Sequence, residues 1–176
     1  MLVTKQWMER QYRKYNKLIF HGEMPKCEFN TYYHISVRGF ALQRYGQFSI
    51  TMSNYWDVPE WVQISIFVHE MIHIYDFSRP NRYTRKYIDG DNHGEHFFKP
   101  MQRMIETKYH IPCNLNPNLV WKVSKVNPDV LKGKVMCYES TDAVEKLKKN
   151  GLLPAYYHTF EDENGAKKRK NEKILN

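Results

Sequence analysis

Residues 61–77 read WVQISIFVHEMIHIYDF, and this stretch decides the fold. Its apolar side chains are spread nearly all round the helix that it predicts, which is typical of a central, buried helix. The polar residues inside it include His69, Glu70 and His73. Because burying polar groups is costly unless they are used, the stretch predicts a functional site on this helix.

The five residues from His69 to His73 form an H-E-x-x-H motif. On a helix, this spacing places both imidazoles on one face, one turn apart, where they can bind one Zn²⁺. Glu70 then lies beside the metal, where its carboxylate can take a proton from a zinc-bound water that attacks a carbonyl. The alternative is a pair of hydrogen-bonded core histidines, which would leave three adjacent polar groups in the most apolar helix.

A catalytic zinc usually has three protein ligands and one open position, so a third ligand is needed from elsewhere in the chain. The longer metzincin motif is excluded, because its glycine and third-histidine positions hold Asp76 and Arg79. A glutamate on a following helix is the other common solution, and Glu95 stands at a suitable distance. Its neighbours His93 and His96 compete with it for this role.

The remaining pattern predicts an α+β arrangement around the zinc helix. Apolar residues at helical spacing predict an amphipathic helix over 4–20. Two runs rich in β-branched and aromatic residues, 26–37 and 47–52, predict two strands of an antiparallel sheet. A loop is expected over 78–92, and a second helix over 93–108.

Asp57 is expected to cap the zinc helix, with Pro59 in its first turn. Beyond the second helix, residues 116–176 are expected to form a small strand-strand-helix-strand unit. Its strands are expected at 121–126 and 134–138, followed by a short helix that begins at Ser140 or Thr141 and ends at Gly151, and by an aromatic run at 155–160. A basic tail containing Lys167 to Lys170 follows this unit.

Composition limits the class of protein. A length of 176 residues favours one domain, or one domain with a small appendage, and the net charge of +8 favours polyanionic partners. Three widely spaced cysteines without a C-x-x-C pair exclude a disulfide framework and a cysteine zinc ribbon. No apolar stretch is long enough for a membrane span, and no apolar signal-peptide segment stands near Met1, so a soluble, cytoplasmic protein is expected.

Basic and aromatic residues alternate between the second histidine and His93, where they would border a cleft. Such a rim suits a phosphate backbone with stacked bases, single-stranded DNA above all, although an ordinary solvated loop has the same composition. These residues are Arg79, Arg82, Tyr83, Arg85, Lys86 and Tyr87.

Two supporting roles have several candidates each. A residue that stabilises the developing oxyanion is needed in a zinc peptidase, and the candidates are Arg82, Tyr83, Tyr87 and His96. A carboxylate can orient a ligand imidazole through its second nitrogen, and the candidates are Asp76, Asp89 and Asp91.

The motifs together resemble the SprT-like, Spartan-related zinc metallopeptidases. That family pairs H-E-M-I-H with a downstream H-G-x-x-F and a methionine four residues later, as in His93-Gly94, Phe97 and Met101 here. Upstream, the stretch from Tyr15 to Pro25 is similar to the family's Y-N-x-x-x-F-x-G-x-L-P. The resemblance covers roughly residues 10 to 110.

The resemblance implies a zincin-like core over 1–115 and a small α/β appendage over 116–176. The core would contain an N-terminal helix, a small antiparallel sheet, the buried zinc helix and a second helix that supplies His93. By this resemblance His69, His73 and His93 bind one Zn²⁺ and Glu70 is the general base. Peptide-bond hydrolysis of proteins held on DNA is the implied reaction.

The chain departs from many SprT-like proteins, because Cys113 and Cys137 alone cannot build the four-cysteine zinc ribbon that follows their catalytic core. His96 also stands where relatives often have an acidic residue, which leaves it open as another ligand or as a substrate contact. Two alternatives therefore remain. One is a non-catalytic zinc-stabilised module that binds DNA or protein, and the other is a soluble protease not coupled to DNA.

Overall fold

The computed structural model describes residues 1–35 and 37–132 together with three short strands nearer the C-terminus. The described chain is a mixed α+β structure, as expected. The helix predicted after residue 140 and most of the aromatic run 155–160 lie outside the described residues. The short strands β6 (Cys137–Glu139), β7 (Thr159–Glu161) and β8 (Lys167–Arg169) form a sheet of order β6-β8-β7.

The first helix is confirmed. Helix α1 (Lys5–Leu18) begins after Thr4, whose side-chain oxygen accepts a hydrogen bond from the Trp7 amide at 3.1 Å. This contact satisfies one of the amide groups that have no partner within the first turn. The apolar stripe of α1 is buried, and the ring of Trp7 packs edge-on against Phe67 with centroids 5.7 Å apart. The helix therefore covers one side of the central core.

The sheet beside this core is mixed, so the prediction of a purely antiparallel sheet is wrong. Its order is β1 (Cys27–Tyr32), β3 (Gln47–Ser53), β2 (Gly39–Arg44), with β1 parallel to β3 and β2 antiparallel to it. Strand β2 was not predicted as a separate strand. Tyr45 and Gly46 both have positive φ, 49° and 78°, which is the geometry of a tight two-residue hairpin between β2 and β3.

The central helix α2 (Glu60–Ser78) is buried along most of its length, as the sequence indicates. Its predicted cap is wrong. Pro59 occupies the capping position without a side-chain hydrogen bond, and Asp57 lies in the short strand β4 (Trp56–Asp57). The Asp57 carboxylate instead accepts a hydrogen bond from the amino group of Met1, so tertiary pairing outweighs its local tendency to cap.

The segment after α2 differs from the prediction in two places. The expected loop 78–92 contains the helix α3 (Arg82–Asp89), which ends at Gly90 with φ of 77°. Helix α4 (Phe98–Tyr109) begins five residues later than expected, so His93 lies in the loop before it rather than on a helix. The Asp91 side chain accepts from the His93 amide at 2.7 Å, a local turn that competes with helix formation.

Residues 117–130 pack against the core. Helices α5 (Pro117–Val123) and α6 (Pro128–Leu131) flank the strand β5 (Lys125–Val126), which pairs antiparallel with β4. The strand predicted at 121–126 is therefore helical over its first three residues and forms a strand only at Lys125 and Val126. A second hydrophobic cluster joins this segment to the start of α2, and its buried members are Ile35, Tyr55, Trp56, Val58, Val62, Val120 and Val130. Among the described residues, no helix combines the length and apolar character needed to cross a membrane.

Candidate metal centre

Three imidazoles meet at one point beside the buried helix. His69 and His73 extend from successive turns of α2, and His93 reaches them from the loop before α4. Their Nε2 atoms face one another at 3.3 Å (His69 to His73), 3.1 Å (His73 to His93) and 3.2 Å (His69 to His93). These three residues form a group that could hold a metal ion.

The spacing of the three nitrogens fits a tetrahedral metal. With Zn–N bonds of about 2.0–2.1 Å, two ligand nitrogens at the tetrahedral angle are about 3.3–3.4 Å apart. The observed separations lie within about 0.3 Å of that value. Burial lowers the pKa of His69 and lowers that of His73 to about 2, so both imidazoles are neutral and their lone pairs can bind a cation.

Two groups that the sequence did not indicate hold the imidazoles in place. The Nδ1 of His69 lies 2.9 Å from the carbonyl oxygen of Cys113, which fixes Nδ1 as the donor and leaves Nε2 as the acceptor facing the cluster. The ring of Phe98 lies beneath all three histidines, with centroid distances of 4.8, 4.5 and 4.7 Å. Phe98 has a weak sequence signal as an apolar residue next to the motif, whereas a backbone carbonyl has none.

The aspartates considered as partners of the ligand imidazoles make other contacts. Asp76 accepts from the Arg85 guanidinium at 2.5 Å, and Asp89 contacts His96 Nδ1 at 2.5 Å. Asp91 binds the backbone amide of His93 rather than its ring. The Nδ1 of His73 is buried and has no hydrogen-bond partner among the described residues. A backbone carbonyl therefore takes the orienting role that the sequence assigned to a carboxylate.

The rival third ligands point away from the cluster. Glu95 pairs with Lys99 at 3.1 Å and Arg103 at 3.0 Å on the exposed side of α4. His96 is held by Asp89, and neither residue belongs to the histidine group. Of the three candidates, the structure brings only His93 to the two histidines of α2.

Glu70 is buried beside the histidines, with 6 % of its surface exposed. Burial raises the pKa of its carboxyl to about 8, and the backbone amide of Ala41 on β2 offsets part of the rise. Strand β2 passes very close at Gly39, where a Cβ atom would lie 3.3 Å from the Glu70 Cγ and 3.0 Å from the Met52 Sδ. A glycine at this position therefore allows the strand backbone to approach the carboxylate.

A cavity of about 300 Å³ opens next to His69 and Glu70. Its apolar wall comes from α2 and from the segment after α4, through Ile66, Leu115 and Val120. Arg38, Gly39, Ser65, Cys113 and Asn114 complete the lining. The cavity thus joins the histidine cluster, the buried carboxylate and an apolar surface in one space.

The residues of the predicted basic and aromatic rim fall into two groups. The three arginines contact other side chains of the chain, whereas the two tyrosines and the lysine are exposed. The guanidinium of Arg79 binds Glu23, that of Arg82 lies 3.8 Å from the Phe77 ring centroid, and that of Arg85 binds Asp76. Tyr83, Lys86 and Tyr87 on α3 are exposed, and the two tyrosines are 77 % and 89 % accessible. Of these three, Tyr83 lines a groove of about 470 Å³, together with Gln43, Phe77, Arg79, Asn81, Arg82 and Thr84.

Comparison with protein-family models and with curated proteins finds no match for this chain. Its chemistry is therefore argued from the geometry of the histidine cluster and from the sequence motifs.

Metal binding is expected to stabilise the fold measurably, because three imidazoles already face one another. At a free Zn²⁺ concentration 100 times the Kd, binding to the native state alone adds about 2.7 kcal/mol. For a chain of this size that corresponds to a rise in Tm of about 5–10 °C, measured by differential scanning fluorimetry after chelator treatment and re-addition of Zn²⁺. A Tm that does not respond to Zn²⁺ would contradict a metal centre, and His73→Ala provides the variant that should not respond.

Proposed function

We propose that this chain is a zinc-dependent endopeptidase of the zincin-like type. The observation that carries the proposal is the convergence of three imidazole Nε2 atoms, 3.1–3.3 Å apart, next to a buried glutamate that faces an open cavity. Three protein ligands with space for a further one are typical of catalytic rather than structural zinc sites. The sequence resemblance to SprT-like metallopeptidases supports the same assignment.

The donor set favours zinc, because three imidazole nitrogens without a hard oxygen ligand suit Zn²⁺ better than Mg²⁺ or Ca²⁺. His69, His73 and His93 would hold the ion. When bound, it supplies a Lewis acid that lowers the pKa of a water molecule and polarises the substrate carbonyl.

Glu70 performs the proton transfers of the proposed reaction. Its carboxylate accepts a proton from the attacking water while the water oxygen adds to the carbonyl carbon. It then delivers that proton to the amine nitrogen as the carbon–nitrogen bond breaks. Glu70 lines the same cavity as His69, so its carboxylate lies where a substrate bound next to the metal centre would be.

The edge of the sheet offers a place for the substrate backbone. Among the residues that the structure describes, strand β2 pairs with β3 alone in its three-stranded sheet, so its other side is a sheet edge. An extended peptide can add to such an edge through main-chain hydrogen bonds. Since β2 passes beside Glu70 at Gly39, a peptide bound there would have its backbone next to the carboxylate, and the apolar cavity would receive one of its side chains.

Hydrolysis of an unfolded protein substrate tests the proposal. Zn²⁺-loaded protein is expected to produce internal fragments that are visible by gel electrophoresis and mass spectrometry. A chelator should stop cleavage, and added Zn²⁺ should restore it. A chain that binds Zn²⁺ at these histidines and cleaves no protein substrate would instead be a non-catalytic, zinc-stabilised module.

We further propose that the substrates are proteins associated with DNA, with single-stranded DNA as the favoured partner. Tyr83 and Tyr87 lie four residues apart on α3, so their exposed rings are neighbours on one face of the helix. Lys86 is exposed between them, and the chain carries a net charge of +8. Exposed aromatic rings beside cations suit stacked bases and phosphates.

Cys27 and Cys113 are free thiols, which agrees with a proposed location in the reducing cytoplasm.

Replacing both Tyr83 and Tyr87 by alanine is expected to weaken single-stranded DNA binding by about 30-fold or more at fixed salt. The reason is that base stacking contributes about 1–3 kcal/mol per base. Fluorescence anisotropy with a labelled oligonucleotide measures the change. Tyr45→Ala is the matched control, because Tyr45 is at least as exposed as these tyrosines but lies in the β2–β3 turn. Equal affinity of all three proteins would favour a protease that is not coupled to DNA.

A further inference from the structure

The segment 111–116, between α4 and α5, contains no helix or strand, yet it contacts the candidate metal centre directly. The Cys113 carbonyl oxygen lies 2.9 Å from His69 Nδ1. Two residues further on, Leu115 lines the cavity beside Glu70. The position of this short segment therefore affects both the orientation of one proposed ligand and the shape of the cavity.

One side chain from α4 holds this segment in place. The Oε1 atom of Glu106 accepts hydrogen bonds from the backbone amides of Cys113 at 2.9 Å and Asn114 at 3.2 Å. The same oxygen accepts from the Gln102 side chain, one helical turn earlier, at 3.1 Å. Hydrogen bonds to a charged acceptor are the stronger kind, so this carboxylate fixes two consecutive peptide groups against α4.

We propose that Glu106 is a positioning residue for the metal centre, acting on His69 through the backbone of Cys113. This inference rests on the metal site in the proposed function. A carbonyl that accepts from the outer nitrogen of a ligand histidine fixes its tautomer and ring orientation, and raises its basicity as a ligand. Removing the Glu106 carboxylate leaves the two amides without their acceptor, so the segment shifts and the carbonyl with it.

Glu106 also couples the metal centre to the shape of the cavity that is proposed to bind substrate. Helix α4 carries Phe98, which packs under the three imidazoles, and eight residues later Glu106, which holds the cavity wall. Because both contacts come from helix α4, this helix fixes the position of the histidine cluster relative to the cavity wall. A change at residue 106 is therefore expected to alter metal affinity and the KM for substrate together.

Zn²⁺ affinity of Glu106→Ala and Glu106→Gln, measured by competition with a chromophoric chelator, tests the proposal. Glu106→Ala is expected to bind Zn²⁺ more weakly by up to about 10-fold, the lower limit of the cost of losing an outer-sphere partner, because the Cys113 carbonyl is displaced and not removed. Glu106→Gln keeps an acceptor oxygen and should recover most of this loss. Glu28→Ala is the control, because Glu28 is exposed on β1. The visible spectrum of the Co²⁺-loaded protein should shift in Glu106→Ala only, which a purely structural role would not produce.

The outcomes separate this inference from the proposed function. A Glu106→Ala protein with wild-type Zn²⁺ affinity and an unchanged Co²⁺ spectrum would overturn the positioning role alone. Wild-type protein that binds Zn²⁺ and cleaves nothing would overturn the endopeptidase alone and leave the affinity test valid. A wild-type chain that fails to bind Zn²⁺ would overturn both.

Discussion

Glu70→Gln is expected to lower kcat for peptide hydrolysis by about 10²- to 10⁴-fold, the usual contribution of a positioned general acid–base group. Glutamine has nearly the same shape as glutamate but cannot take up and release the proton. Because Glu70 is absent from the histidine cluster, bound zinc and Tm should stay near the wild-type values. Cleavage is followed with a fluorogenic peptide, and metal content by atomic emission.

The control for this substitution is Glu95→Gln, since Glu95 is an exposed carboxylate near the cluster that contacts Lys99 and Arg103. It should cleave at the wild-type rate. Wild-type activity in Glu70→Gln would exclude the mechanism proposed here. Loss of zinc from Glu70→Gln would indicate that the carboxylate helps to hold the ion, contrary to its assigned role.

His93→Ala is expected to weaken Zn²⁺ binding by at least about 100-fold and to abolish hydrolysis. The loss of a metal ligand removes more binding energy than the loss of a group that only orients a ligand. The loss of an orienting group alone lowers metal affinity by about 10- to 100-fold. His93 also lies on a loop and not on α2, so alanine there should leave the buried core intact. Isothermal titration calorimetry with Zn²⁺ measures the affinity.

Two neighbouring substitutions make the test of His93 specific. Glu95→Ala and His96→Ala remove the other candidates from the same loop, and both should bind Zn²⁺ within about twofold of wild type. His96 contacts Asp89 instead of the cluster, so its loss affects a surface contact only. Full zinc retention in His93→Ala would assign the third ligand to one of these two residues.

The sequence was most informative where a local pattern determines the result. The amphipathic spacing of α1 and the apolar run of α2 are local properties, so both helices are confirmed. The four-residue spacing of His69 and His73 follows from the helix period, and the downstream motif correctly indicated His93 as their neighbour. The pairing of β1 parallel to β3 depends on contacts between residues about 20 apart, which no local pattern specifies.

The missed features were those in which tertiary contacts outweigh the local signal. Helix α3 buries no residue, so it has no apolar stripe against a core by which it could be recognised. Asp57 is a good capping residue, but it pairs with the amino group of Met1. The Cys113 carbonyl that orients His69 would be present with any residue type at that position.

The segment 117–130, which pairs with β4 through β5, restricts how the sequence of this chain can evolve. Val120 lies in the second hydrophobic cluster and also in the cavity wall beside His69. Asn127 donates from its side chain to the Asn54 carbonyl at 2.7 Å, and its amide donates to the Tyr55 carbonyl at 2.9 Å. Recombination that exchanged residues 117–130 for an unrelated segment would remove part of the cavity wall as well as core packing. We therefore expect residues 117–130 to evolve together with the other residues that line the cavity.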